Sequence, residues 1–435
     1  MNEMKIDALA QPLGGLLTGA YELPNTPGEP QYIMFGCDSG NLSNIARLKN
    51  NNYGMPMELP GAGGDVDREE ARLKAYAEAL ERYCNAVYTE DQFIFATANE
   101  LGEEALNLDT VPICSEQELA SPYCPVRKPD KNEKIRWVKG MSLTQERPIW
   151  IPAIMAYLFI PFKSRAEEFY LPISTGTATH TTYNQAIING INEVIERDAI
   201  SLTWLHKISW RRIQVDYNKL PKWAQKFYVQ NEKIDYLKTY YLDATTDIGV
   251  PTIYSIQFSP YNDKISTIVM CTTDLDPLKA YTKITRETAS VKYALQNRFP
   301  KTSNIDHFRD VFDGALYMGK PDKMKEFDFL TSSREEINLL DMKNLSKESS
   351  AMELSFLINK LKEKNLEVFV VDLTTDEALR CGFRTVKVII PGLQPLSFVH
   401  RARYLGHNRV YDAAINLGLG DRKESSINSN PSPFA

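Results

Sequence analysis

Residues 182–198 read TYNQAIINGINEVIERD, an apolar helical stripe closed by Glu193, Glu196, Arg197 and Asp198. Residues 67–82, DREEARLKAYAEALER, align with 182–197 without a gap: Asp67 with Thr182, Ala71 with Ala186, Glu78 with Glu193, and Glu81-Arg82 with Glu196-Arg197. A third stretch, 276–291, reads DPLKAYTKITRETASV. It keeps Asp276, Ala280 and Glu287 in register but lacks the terminal Glu-Arg. Each stretch opens on a good N-cap residue, and the third has Pro277 at the first helical position. Asp67 with Glu70, and Thr182 with Gln185, have capping-box spacing. The pattern predicts three helices with sharp starts.

Positions i and i+3 share a helix face, so Glu78 projects with Glu81 and Glu193 with Glu196. Two such pairs on facing helices repel unless cations lie between them. Mg²⁺ takes oxygen ligands and keeps part of its coordination sphere for water or phosphate. Arg82 and Arg197 are suited to phosphate charge. One Glu-x-x-Glu-Arg alone is usually a solvated face with local ion pairs. Two gapless copies and a partial third favour a shared nucleotide–metal role.

The rest of the chain limits the alternatives. Its 435 residues exceed one simple core and suggest a large α/β unit or two to three lobes. With 50 basic and 56 acidic side chains the formal charge is −6, and no Lys/Arg block offers a nucleic-acid surface. The longest apolar run, 149–160, contains Pro152 and is too short to span a membrane. No signal peptide is visible. The six cysteines include no C-x-x-C pair and the five histidines no zinc spacing, so a reduced, cytoplasmic protein is expected.

Strands are expected at 159–162, 170–173, 251–257, 267–272, 366–373 and 385–390, and an amphipathic helix at 351–364. Segment 321–349 reads as a mobile insertion or exposed helix–loop. The tail 420–435 reads as lacking regular structure.

Together, GAGGDVDREEARLKAYAEALERY, STGTATHTTYNQAIINGINEVIERDA, VVDLTT and VIIPGLQPL resemble the YcaO family over roughly residues 60–410. Their form is similar to the azole-forming, streptolysin-type "D protein" branch. The resemblance implies an α/β YcaO-type fold, with mixed sheets and paired motif helices forming an ATP site without a Walker loop. It implies a catalytic domain at 60–419, preceded by a packed N-terminal segment, 1–59, and followed by a Pro-containing tail, 420–435. ATP and Mg²⁺ are the implied cofactors. Glu78, Glu81, Glu193 and Glu196 map to the family's metal ligands, and Arg82 and Arg197 to its paired arginines. Gln185 stands where many members carry Glu, and it equally suits a cap on Thr182. Arg286 is a candidate phosphate contact. His180 replaces a frequent glycine, and Gly63-Gly64-Asp65 lacks the lysine of the Gly-Lys-Gly form.

In azole-forming members, Cys, Ser or Thr of a ribosomal precursor peptide attacks the preceding carbonyl. ATP phosphorylates the resulting oxygen, and phosphate leaves to give an azoline. The Pro431-Ser432-Pro433 end, with Ala435 last, is similar to the tail that enters the active site in relatives; on composition alone it is only a stiff end. The implied partners are the precursor peptide, a ubiquitin-activating-like leader-binding protein and a flavin dehydrogenase. A homodimer within a complex is expected, with no nucleic acid and no membrane. Two alternatives stay open: a YcaO enzyme making thioamides or amidines, and a non-catalytic scaffold.

Overall fold

The computed structural model describes residues 6–10, 15–39, 60–232, 234 and 236–435. In chain order its main elements begin with β1 (Tyr21–Leu23), β2 (Ile33–Cys37), β3 (Gly61–Asp65), α1 (Arg68–Ala86), β4 (Phe93–Ala96), β5 (Ile135–Ser142) and β6 (Arg147–Pro152). Then come β7 (Thr177–His180), α2 (Tyr183–His206), β8 (Arg212–Gln214), α3 (Lys222–Glu232), β9 (Lys238–Asp243), β10 (Thr252–Phe258), β11 (Thr267–Thr273) and α4 (Pro277–Gln296). The chain closes with β12 (Glu336–Asn338), α5 (Ser350–Lys362), β13 (Phe369–Asp372), β14 (Arg384–Ile389) and α6 (Asn408–Asn416).

Among the described residues the strands form three sheets, ordered β1-β2-β3, β11-β10-β9-β8-β12 and β4-β5-β13-β14-β7, with β6 beside β5. Pairing is antiparallel except for β12 on β8. The expected motif helices are α1, α2 and α4. Asp67, Thr182 and Asp276 cap them by accepting backbone N–H groups of Glu69 and Glu70, Gln185, and Leu278.

A strand runs directly into each motif helix: β3 into α1, β7 into α2, β11 into α4. Each of these three strands is the edge of a different sheet. Edge strands present unpaired N–H groups that need partners once buried. The glycines of β3 let α1 lie close on it. A Cβ on Gly61 would stand 2.2 Å from the Ala75 carbonyl oxygen, and one on Gly63 would stand 2.1 Å from that of Ala71.

Segments 159–162 and 170–173 are irregular rather than strands, and the strand entering α2 is Thr177–His180. Pro161 and Pro172 interrupt those apolar runs, and a proline cannot donate to a ladder. Phe162 and Tyr170 pack instead against the core around Ile160 and Phe169. Segment 321–349 is no loose insertion: Phe327 and Leu330 pack with Trp204 of α2, and β12 extends a sheet. The tail has no helix or strand beyond one short turn at Glu424–Ser426, yet Phe434 is buried against Tyr254 with ring centroids 5.4 Å apart. The 149–160 run forms β6 and one short helix, and no described helix is long and apolar enough to cross a membrane.

Candidate active site

The three sheet edges meet at the motif glutamates, and each carboxylate accepts through its Oε2 one backbone N–H from an edge strand or, for Glu193, from Gly176 just before β7. Glu78 accepts from Ala62 at 2.8 Å, Glu81 from Thr179 at 2.9 Å, Glu193 from Gly176 at 3.0 Å and Glu196 from Thr273 at 3.0 Å. The first glutamate of each motif thus binds the strand leading into its own helix. The second binds the strand leading into the next motif helix. Glu81 of α1 reaches β7, and Glu196 of α2 reaches β11. Ser290 of α4 takes the matching register position and lies over Gly64 of β3, where a Cβ would stand 2.7 Å from its hydroxyl oxygen. The three strand–helix units therefore close on one another in a ring.

Cations surround the acids. Arg82 and Arg197 pair with Glu78 and Glu193 on their own helices at 2.6 and 3.2 Å. From α4, Lys283 approaches Glu196 at 3.7 Å, and Arg286 lies 3.8 Å from Glu287 and 4.0 Å from Asp65. Lys74 pairs with Asp65. Lys387 of β14 is 2% exposed and donates to the carbonyl of Ile173, beside Glu193 and Glu81.

The electrostatics follow from this crowding. Burial, then Glu193 and Glu78, hold the Glu81 carboxyl well above the usual range. Burial pushes Glu196 up to about 7 against the opposing charges of Lys283 and Arg197. Burial draws Lys387 down to about 8, although Glu193 and Glu81 favour its charge. Burial also works against Lys283, but Glu287 and Glu196 outweigh it and raise its pKa. Each proton-holding acid marks a place where a bound cation would relieve repulsion.

The donor set, carboxylate oxygens ringed by guanidinium and ammonium groups, fits Mg²⁺ with a polyphosphate. Among the described residues no three His, Cys, Asp or Glu side chains close into a metal cage. The strand N–H groups and arginines hold the carboxylates on separate walls. This suits an ion that completes its shell with phosphate and water.

Gln185 lies in the first turn of α2, its N–H capped by Thr182 and its side chain on Asn189 at 3.0 Å. Eight residues separate it from Glu193, ~12 Å along the helix axis. One ion cannot bridge that span, but a nucleotide can. Pro431 and Pro433 are buried, and their neighbours Asn430, Ser432 and Phe434 lie against Trp204, Gly314 and Tyr254. Ala435 packs with Val291 and Leu295 of α4, one to two turns beyond Glu287.

Sequence reading missed Lys283, Lys387 and the Asp65–Lys74 pair. Lys74 and Lys283 stand in register in two of the three repeats, and Lys387 is a charge inside the apolar strand TVKVII.

Residues 62–394 match the family described as YcaO cyclodehydratase, ATP- and Mg²⁺-binding. An uncharacterized protein of Methanothermobacter thermautotrophicus is 26% identical over 347 residues, covering 77% of this chain and 82% of its own. A heterocyclase solved in complex with substrate and cofactor superposes with a TM-score of 0.80 at 20% identity. All of this chain is covered in that match, and the chain spans 57% of the heterocyclase's length. The YcaO protein of Methanopyrus kandleri bound with AMPPCP and Mg²⁺ superposes with a TM-score of 0.64 at 15% identity, over 91% of each chain. With the family match covering most of its length and the glutamate ring in place, the chain belongs to the ATP- and Mg²⁺-binding YcaO cyclodehydratase family.

Proposed function

We propose that this chain is the ATP- and Mg²⁺-dependent component of a peptide cyclodehydratase. It phosphorylates a backbone amide oxygen of a ribosomal precursor peptide, so that a Cys, Ser or Thr side chain closes to an azoline. The observation that carries this reading is the ring of four carboxylates, each fixed by a backbone N–H at a sheet edge and together facing Arg82, Arg197, Lys283 and Lys387. An amide oxygen leaves poorly and its phosphate leaves well. The protein's contribution is therefore to place the phosphate and neutralise its charge. When bound, Mg²⁺–ATP supplies the phosphoryl group.

The repeat register orients the nucleotide. Asp65 with Lys74 and Asp274 with Lys283 are charged pairs of positions at two strand–helix junctions. The third junction has His180 and Asn189, and burial keeps the His180 imidazole below its ordinary pKa. In our reading Glu78, Glu81, Glu193 and Glu196 hold Mg²⁺. Arg82, Arg197, Lys283 and Arg286 take the phosphates, and Gln185, Asn189 and His180 face the nucleoside. In the same reading the tail serves the peptide: Pro431 and Pro433 set the course of the chain end, and the Ala435 carboxylate, packed by Leu295 of α4, accepts the proton. The precursor leader is read by a separate partner protein.

Glu193→Ala and Glu196→Ala should abolish ATP-dependent loss of one water per modified site while the circular dichroism of the fold stays. Mass spectrometry of precursor, partner and this protein reads the outcome. Full conversion by both variants would remove the metal role, and exchange of amide oxygen for sulfur would select the thioamide alternative.

A further inference from the structure

Asp198 completes the Glu-x-x-Glu-Arg-Asp run, but the other two repeats carry Tyr83 and Lys292 in its place. It is 0% exposed. Its Oδ1 accepts the Gln394 N–H at 2.8 Å and Arg409 Nε at 3.0 Å, and its Oδ2 accepts Arg409 Nη2 at 2.7 Å. Arg409, on α6, also grips Asp247 at 2.9 and 2.7 Å.

The tie continues to the tail. Gln394 Nε2 donates to the Arg403 carbonyl at 2.9 Å, and its Oε1 lies 3.0 Å from His407 Nδ1. Arg403 Nη1 donates to the Asn428 carbonyl at 2.6 Å. Asn428 then returns to α2, giving its N–H to Leu205 O at 2.8 Å and its Nδ2 to Trp204 O at 3.1 Å. Trp204 Nε1 donates to Asn430 O at 3.1 Å. Leu205, Leu405, Val410 and Ile427 fill the middle of this loop as one apolar cluster. The circuit leaves α2 two residues after Glu196 and comes back at its last turn.

A buried ion pair seldom adds net stability over an apolar substitute, and its best-attested use is to set register. We propose that Asp198 is a positioning residue that fixes the root of the C-terminal tail to the helix carrying Glu193, Glu196 and Arg197. The tail and the carboxylates then keep one register. The proposal deepens the peptide-modifying reading and rests on it for the use of the tail, though not for the anchoring itself.

Asp198→Asn keeps the shape and removes the charge. Carboxypeptidase Y should release Ala435 and Phe434 about tenfold faster than from the wild type, because the tail root opens locally. The affinity for Mg²⁺–AMPPCP should stay within about twofold, since the circuit leaves the glutamates untouched. In the assembled enzyme kcat for the peptide should fall while KM for ATP holds. Asn428→Ala, at the tail root, should give the same split and serves if Asp198→Asn does not fold. Equal release rates in variant and wild type overturn the proposal. Faster release matched by an equal loss of nucleotide affinity also overturns it, because that is general loosening. If wild-type protein does not bind Mg²⁺–AMPPCP, the nucleotide reading fails, and the release rates still decide the role of Asp198.

Discussion

Glu196 shows how one side chain can be costly to the fold and useful to the site. Its folded pKa of about 7 lies above the ordinary 4.5. Between those values the folded state holds a proton that the unfolded state has released. The contribution of Glu196 to stability therefore declines as pH rises through that window and is flat above it. Glu196→Gln keeps an acceptor for the Thr273 N–H and removes the titration. The metal-free variant should match the wild type below about pH 4 and exceed it above pH 7, by on the order of 3 kcal/mol. Melting curves at several pH values measure this difference; a gap that does not widen with pH contradicts the assignment. Added Mg²⁺–nucleotide should narrow the gap. The glutamates and N-caps were legible in the sequence because helix periodicity and capping are local rules. Lys387 was not, because its partners, Ile173, Glu81 and Glu193, lie far away in sequence and meet it only through β14 and β7 pairing.

At the scale of elements, the glycines of GAGGD separate two kinds of closeness. Gly63→Ala would drive a Cβ into backbone atoms of α1, 2.1 Å from Ala71 O and 2.5 Å from Ala75 N. Neither can move without unseating the helix. That variant should lose several kcal/mol of stability or fail to fold. Gly64→Ala meets chiefly the Ser290 hydroxyl, which can rotate, so it should cost under ~1.5 kcal/mol, and Ser290→Ala should restore it. Denaturant titration of the three proteins checks the order. The tail gives a second element-scale test. Read as a stiff end, it should come off without loss. With Phe434 1% exposed and meeting Tyr254 edge to face, Phe434→Ala should cost ~3 kcal/mol. An unchanged melting temperature would show that the contact contributes nothing. The burial escaped composition because NPSPFA has one large apolar residue, and its pocket is built from β10, α2 and the 313–330 region.

For the whole molecule, the described part of the first 59 residues adds β1 and β2 to the edge strand β3, so the N-terminal segment supports one wall of the site. The fold class was legible from alternating strand and helix signals. The closure of the ring was not, because it depends on which sheet edge each helix meets. We expect the isolated chain to turn over peptide slowly. Adding a leader-binding partner should raise ATP use and peptide conversion together, at least tenfold. Coupled phosphate-release and mass measurements test this; full conversion by the chain alone, with tight leader binding, refutes the division of labour.

The ring also has a consequence for biosynthesis. Glu81 leaves the ribosome nearly a hundred residues before Thr179, and Glu196 well before Thr273. The last junction, Ser290 over Gly64, joins elements more than two hundred positions apart, and Lys387 arrives later still. A nascent chain therefore carries unmatched acids until its final third is made. The half-translated chain has no closed ring, and its first glutamates wait in water for walls that do not yet exist.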